Sequence, residues 1–295
     1  MKISDIKIFV TCPGRNFVTV KVITDIGLFG LLNACASAPS TSAVTLEHGI
    51  DETAGGLEAF IISNNNAKFY LEKSGGGLSS MIDKDGVDWI GFNNSKGSGW
   101  KGEYRGFPNA VHKQDGNYFH AMNASTDPST SSVDIISPEH IRITFTSQNG
   151  KWQAQYDFLP ERLEFTMAKV SQGYHYWVQY EGVPYGAMDE SDFWYASIDD
   201  KKHPINESFL GDLPSPEWIA FGDKNVNRML YLLHHEDDEF PDNYVSRPYM
   251  TVLGFGRSEK NKYLHESQTF SLGFVESDTY AQVSKAVTQI SFPLN

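Results

Sequence analysis

FIISNNNAKFYLEKSGGGLSSMIDKDGVDWI, residues 60–90, holds three short apolar or aromatic runs separated by asparagine, glycine and Lys-Asp-Gly breaks. Runs this short, rich in Ile, Phe, Tyr and Met and bounded by turn formers, read as β-strands joined by tight turns. The same grammar continues outward. SSVDIISPEHIRITFTSQNGKWQAQYDFLPERLEFTMAKV, YHYWVQYEGVP, EWIAFGD, RMLYLLHHE, YMTVLGFGR and QTFSLGFVE are further strand-like runs, divided by SPE, QNG, PER and GDK turns. Only SDTYAQVSKAVTQI is spaced for a helix, with Thr279 to Ala286 forming a short amphipathic stretch near the C-terminus. The expected fold class is therefore all-β, an antiparallel sandwich over residues 58–295, a length that one such domain fills.

Composition narrows the function classes. The net charge of -13, with 13% aromatic residues, disfavours nucleic acid and anionic membranes as partners. The two cysteines, Cys12 and Cys35, both precede residue 58, so neither a disulfide framework nor a Cys-ligated zinc site is available to the main domain. No apolar run approaches the roughly 18 residues of a transmembrane helix.

The N-terminal 34 residues are of another kind. MKISDIKIFVTCPGRNFVTVKVITDIGLFGLLNA alternates apolar residues at Ile6, Ile8 and Val10, then at Val18, Val20 and Val22, around a CPGRN turn, and so predicts a β-hairpin. This segment resembles the first hairpin of the mannonate dehydratase branch of the enolase superfamily. The resemblance stops at Ala34, and nothing after it alternates strand and helix as that family's (β/α)8 barrel would, so no dehydratase residue is carried over. Leu32, Asn33 and Ala34 precede Cys35 in the spacing of a bacterial lipoprotein cleavage box, although Asp25 and Gly27 interrupt the apolar stretch before it. Residues 35–57 are small and polar and read as a linker. The expected localisation is exported: periplasmic, cell-surface or extracellular, with a lipid anchor in the parent protein as one form.

The order of signals in the main domain also resembles galactose-mutarotase-like supersandwich proteins. The strand ending at Tyr70, the Gly75–Gly77 turn, the LSSMIDKDGVDWI hairpin, the long QNGKWQAQYDFLPERLEFTMAKV hairpin and the closing SLGFVE strand before a helix carry the likeness. The resemblance implies a carbohydrate-active domain, whose relatives include mutarotases, polysaccharide lyases and non-catalytic modules. It leaves the activity open.

Three polar clusters are the candidate sites. GWKGEYRGFPNAVHKQDGNYFHAMN, residues 99–123, offers Trp100, Tyr104, Arg105, Asn109, His112, Tyr118 and His120 in a loop-like context. In GYHYWVQYEGVPYG, period two puts Tyr174, Tyr176, Val178 and Tyr180 on one face and His175, Trp177, Gln179 and Glu181 on the other. An indole, an amide and an acid suit a sugar, which has an apolar ring face and a hydroxyl edge. In LYLLHHEDDEFPDNY, a strand expected to end at Leu233 empties into His234, His235, Glu236, Asp237, Asp238 and Glu239, and the carboxylates of Glu236, Asp237 and Asp238 suit Ca²⁺.

Three activities draw on these groups. A polysaccharide lyase needs a Tyr or His base for the proton α to a uronate carboxylate and an Arg or Asn to neutralise the carboxylate itself, with Arg105, Asn109, His112, His120, Tyr118 and Tyr174 as candidates. A mutarotase, an epimerase or a glycoside-hydrolase-type sugar enzyme is the alternative; the mutarotase reaction needs one acid and one base, which the resemblance implies are a Glu and a His, and Glu181 and His175 have that chemistry, with His234 a further catalytic candidate. A binding module would need an aromatic platform, drawn from Trp100, Trp177 and Trp194, with Tyr180 and His235 as further contacts. The lyase, acting on a uronate-containing glycan, is the leading expectation, although the acidic surface would repel a polyuronate outside a basic patch around Lys101, Arg105 and Lys113. No cofactor is required by any of them, with Ca²⁺ optional. The expected partner is a polysaccharide or oligosaccharide.

Overall fold

The computed structural model describes residues 43–92, 105–110 and 129–290 in full, together with the backbone of residue 291 and of three N-terminal strands. Two compact units divide at Ser42. In the first, β1 (Ile3–Thr11), β2 (Phe17–Thr24) and β3 (Phe29–Ala34) form an antiparallel sheet in the order β1-β2-β3. The predicted hairpin is its first two strands, in register at Ile8↔Val20, and the GLLNA tail adds a third.

The second unit is an antiparallel all-β sandwich closed by one helix, as the strand grammar predicts. β4 (Thr45–Asp51), β5 (Leu57–Ser63), β6 (Ala67–Glu72) and β7 (Leu78–Asp83) make a four-stranded meander. β8 (Thr130–Ser137), β9 (His140–Thr146), β10 (Trp152–Leu159) and β11 (Arg162–Val170) follow as hairpins, then β12 (Val178–Gly182), β13 (Asp192–Ala196), β14 (Asp199–Pro204) and β15 (Phe209–Gly211). β16 (Glu217–Asp223), β17 (Met229–His234), β18 (Asp242–Arg247), β19 (Met250–Phe255), the two-residue strands β20 (Arg257–Ser258) and β21 (Asn261–Lys262), β22 (Thr269–Val275) and helix α1 (Tyr280–Ser291) complete the chain. A nine-stranded sheet runs β14-β13-β16-β17-β22-β11-β10-β9-β8, and a second four-stranded sheet runs β12-β19-β18-β15.

Burial explains why these runs form strands. β9 alternates strictly between buried and half-buried positions, the pattern of a sheet with one wet face. Every residue of β16 and β17 is buried, because both faces of the central strands are covered. On one face, Ile219, Phe221, Leu230 and Leu232 join the main core; on the other, Trp218, Ala220, Tyr231 and Leu233 pack with Val283 and Val287 of α1, one turn apart. Both four-stranded sheets pack on the main-core face. Phe69 meets Phe158 at 5.3 Å, and Tyr180 stacks on Phe221 at 5.7 Å.

The linker reading of residues 35–57 is corrected from Thr45 onward. Thr45–Asp51 pairs residue for residue with Leu57–Ser63, and Asp51 is a buried turn acceptor for Ser79 and Ser80, each at 2.7 Å. Among the described residues, no helix is long and apolar enough to cross a membrane.

Candidate functional site

The period-two reading of residues 174–181 places the site. Tyr176, Val178 and Tyr180 enter the core, while Trp177, Gln179 and Glu181 share the outer face of the β12-β19-β18-β15 sheet. Residues 105–110 run antiparallel to β12 along its free edge, with Gly106 and Glu181 exchanging backbone hydrogen bonds of 2.8 and 2.9 Å and Gln179 N donating to Pro108 O at 2.7 Å. Asn109 adopts a left-handed conformation, φ 38°, which asparagine tolerates better than most residues. This turn breaks the alternation and brings the Asn109 carboxamide to the Glu181 side.

A polar chain results. The Arg257 guanidinium donates to Gln179 Oε1, Gln179 Nε2 donates to Glu181 Oε1 at 2.5 Å, and Asn109 Nδ2 reaches Glu181 Oε2 at 3.5 Å. Gln179, Glu181 and Asn109 are all buried. Asn109 Oδ1 has no donor among the described residues, so an acceptor stands open beside the carboxylate. Arg257 lies 4.7 Å above the Trp177 ring and Lys262 5.4 Å from it, a pair of cation–π contacts that fix two positive charges over the indole. Burial pulls the Lys262 ammonium down to about 8. Glycine is required at 254 for this arrangement, since a Cβ there would lie 2.6 Å from Arg257 Cδ. Arg257, Lys262 and the Gln179 bridge escaped the sequence reading; the Gly-Phe-Gly-Arg run at 254–257, where a side chain must cross bare backbone, is the signal that could have found them.

Several expected site residues lie elsewhere. Arg105 sits one residue before Gly106, so its side chain faces the opposite side from Glu181, where Nη1 donates to Gly91 O at 3.1 Å and burial lowers its pKa against the pull of Asp88. Tyr180 is fully buried and donates to Trp89 O at 2.5 Å, which removes it as a sugar contact. Trp177 is 4% exposed and roofed by Arg257, and Trp194 is a core residue stacked on His203 at 4.1 Å, so neither offers a free stacking face. Tyr174 packs edge-on against Trp152 at 5.0 Å. His175 is exposed, 5.8 Å from the His265 ring. Trp100, Lys101, Tyr104, His112, Lys113, Tyr118 and His120 lie outside the described residues.

The third cluster separates from the first. β17 runs one residue further than expected, and period two turns His234 into the core side, stacked on Phe270 at 4.4 Å and 5.8 Å from Phe255 of β19. His234 is therefore beneath the sheet whose outer face carries Glu181, and the two do not form one site. His234 Nδ1 lies 2.5 Å from Glu217 Oε2. Burial pushes Glu217 up to about 8 and His234 down, so both shifts disfavour the charged form of the pair. His235 faces the other way and bonds Ser271 Oγ at 2.8 Å. Of the three carboxylates expected to hold Ca²⁺, Asp238 alone joins a close group, with Asp212 and Glu217; Glu236 instead accepts from Thr269 N at 2.7 Å.

No protein-family profile matches the chain. Over 45 residues it is 51% identical to RspA of Cellvibrio japonicus, a D-galactonate dehydratase family member, covering 15% of this chain and 11% of that enzyme. Over 33 residues it is 61% identical to the D-mannonate dehydratase of Sphingomonas sp., 11% of this chain and 8% of the other. The chain thus spans about a tenth of the length of the curated relatives it matches, and the likeness is that of short N-terminal segments. Among solved structures, HI1317 is similar with a TM-score of 0.52 at 12% identity, covering 92% of this chain and 100% of that one. A putative aldose 1-epimerase of Klebsiella pneumoniae gives 0.46 at 12%, covering 96% and 90%, and a galactose mutarotase related enzyme of Lactobacillus acidophilus gives 0.45 at 10%, covering 75% and 99%. The class is an antiparallel all-β sandwich, a fold similar to that of HI1317.

Proposed function

We propose that the chain is a sugar-active enzyme of the mutarotase or epimerase kind, working at the outer face of β12. The observation that carries this reading is the buried Glu181 carboxylate held by Gln179 beside the open acceptor of Asn109. A carboxylate and an unfilled amide oxygen suit adjacent sugar hydroxyls, which donate as well as accept. Glu181 takes the proton of the anomeric hydroxyl while Lys262, with a pKa of about 8, protonates the ring oxygen. The C1–O5 bond breaks, the open-chain aldehyde turns over, and the same groups reverse their roles as the ring closes.

The test is proton NMR exchange between the anomeric signals of neutral hexoses, uronic acids and sugar phosphates. Wild-type protein is expected to speed exchange of at least one class, and Glu181→Gln to lose it by about 10²-fold or more. Exchange unchanged in Glu181→Gln contradicts the assignment. A second reading, β-elimination on a uronate-containing glycan, is favoured by the Arg257 and Lys262 charges, which suit a substrate carboxylate. Its sign is ultraviolet absorbance from the new conjugated double bond. Export is the proposed localisation, resting on the cleavage-box spacing of Leu32, Asn33 and Ala34 before Cys35.

A further inference from the structure

At the far end of β16 from His234 and Glu217, roughly 20 Å along the strand by its residue rise, lies a second group of acids. Asp192 opens β13 and pairs across the sheet with Asp223, the last residue of β16. Asp189, in the loop before β13, brings a third carboxylate, and one oxygen of each lies within 4.8 Å of the others. Asp192 is 2% exposed, and its Oδ2 accepts from Asp189 N at 2.8 Å. Its Oδ1 is buried with no donor among the described residues. No lysine, arginine or histidine among those residues forms an ion pair with any of the three, unlike the nearby Arg228 network, where every acid has its cation. Leaving a buried carboxylate oxygen without a donor or counter-charge is costly, and coordination to a cation removes that cost.

We infer that Asp189, Asp192 and Asp223 bind a hard divalent cation, Ca²⁺, through carboxylate oxygens. The donor set is all oxygen, which selects Ca²⁺ or Mg²⁺ over softer metals. Asp189 is exposed, leaving that side open to water ligands, and a half-open set of three carboxylates suits the higher and more flexible coordination number of Ca²⁺. The two segments the ion would join are already in contact: Lys224 N donates to Ser191 O at 3.2 Å and Asn225 Nδ2 to Ser191 Oγ at 3.1 Å. The 183–192 segment also leads directly from β12, so the ion fixes the exit of the strand that carries Glu181. This site is separate from the Asp212, Glu217 and Asp238 group and does not depend on the sugar reading.

The experiment is thermal unfolding of the whole chain, stripped with EDTA and titrated with CaCl2 or MgCl2, beside isothermal titration calorimetry. Ca²⁺ at a hundred times its dissociation constant lowers the unfolding equilibrium constant about 100-fold, read as a rise in Tm of roughly 5–10 °C. Asp192→Asn removes the buried charge, so it is expected to be at least as stable as wild type in EDTA while losing the Ca²⁺ response, which separates lost binding from lost folding. Asp223→Asn is expected to weaken the response at least tenfold, and Glu217→Gln to leave it unchanged. Absence of heat and Tm shift in wild type at 10-millimolar order Ca²⁺ overturns the inference. So does a response that survives Asp192→Asn or disappears in Glu217→Gln.

Discussion

Replacing Arg228 by methionine removes the charge that ties three parts of the sandwich together. The guanidinium is 2% exposed and donates to Asp83 at 2.5 Å and to Glu276 at 2.8 and 3.3 Å, with Asp85 at 2.8 Å completing the set. Breaking one side of a buried ion pair costs about 3–5 kcal/mol, chiefly because the partner stays buried and charged. Here the cost falls near the lower end. Asp85 and Glu276 are about half exposed and turn to water, while Asp83 keeps Asp85 N at 2.9 Å, Val87 N at 3.0 Å and Trp89 Nε1 at 3.0 Å. About 3 kcal/mol corresponds to a fall in Tm of roughly 6–12 °C for a domain of this size. Urea unfolding with Arg228→Met, Asp83→Asn and the double variant should give a coupling of at least about 1.5 kcal/mol. A single variant within about 0.5 kcal/mol of wild type would refute the claim that Arg228 is a structural tie.

Three further outcomes are expected. Glu217, raised to about 8 from 4.5 by burial, contributes stability that is full below pH 4.5 and is lost as pH rises through about 8; Glu217→Gln, which keeps a donor for His234, should gain on wild type steadily across that window in urea unfolding. Anomer exchange that uses protonated Lys262 should fall as pH rises through about 8, and Lys262→Arg should move that limb upward; a limb unmoved by the substitution argues against Lys262 as the acid. Asn109→Ala removes the open acceptor and should raise KM about 10-fold with a smaller effect on kcat, whereas an equal fall in kcat and kcat/KM, with KM unchanged, would mean that Asn109 acts in the transition state alone.

Local pattern carried much of this architecture. HIRITFT, RLEFTMAKV and the runs of β16 and β17 all read as strands from their β-branched and aromatic residues, but which are half-buried and which are covered on both faces is set by the layers packed on them. Period two alone put Trp177, Gln179 and Glu181 on one face. What it could not supply was contact between segments distant in sequence. Tyr180 and Trp194 have the same chemistry as exposed sugar-binding aromatics; Tyr180 is buried against Phe221 across the core, and Trp194 is stacked on His203 of the neighbouring strand. His234 looked like the start of a solvated acidic turn because its partner, Glu217, lies 17 residues earlier in the chain. The strand at Thr45–Asp51 was hidden by polar residues at positions that an edge strand leaves exposed.

Sugar bound at Glu181, on the outer face of β12, would be directly visible by crystallography. The most direct measurement is a crystal structure of the protein soaked with whichever sugar shows the fastest anomer exchange. Density is expected with the anomeric hydroxyl within hydrogen-bond distance of Glu181 and another hydroxyl on Asn109 Oδ1. Sugar bound instead beside His235, or on the opposite face with Arg105, would contradict it.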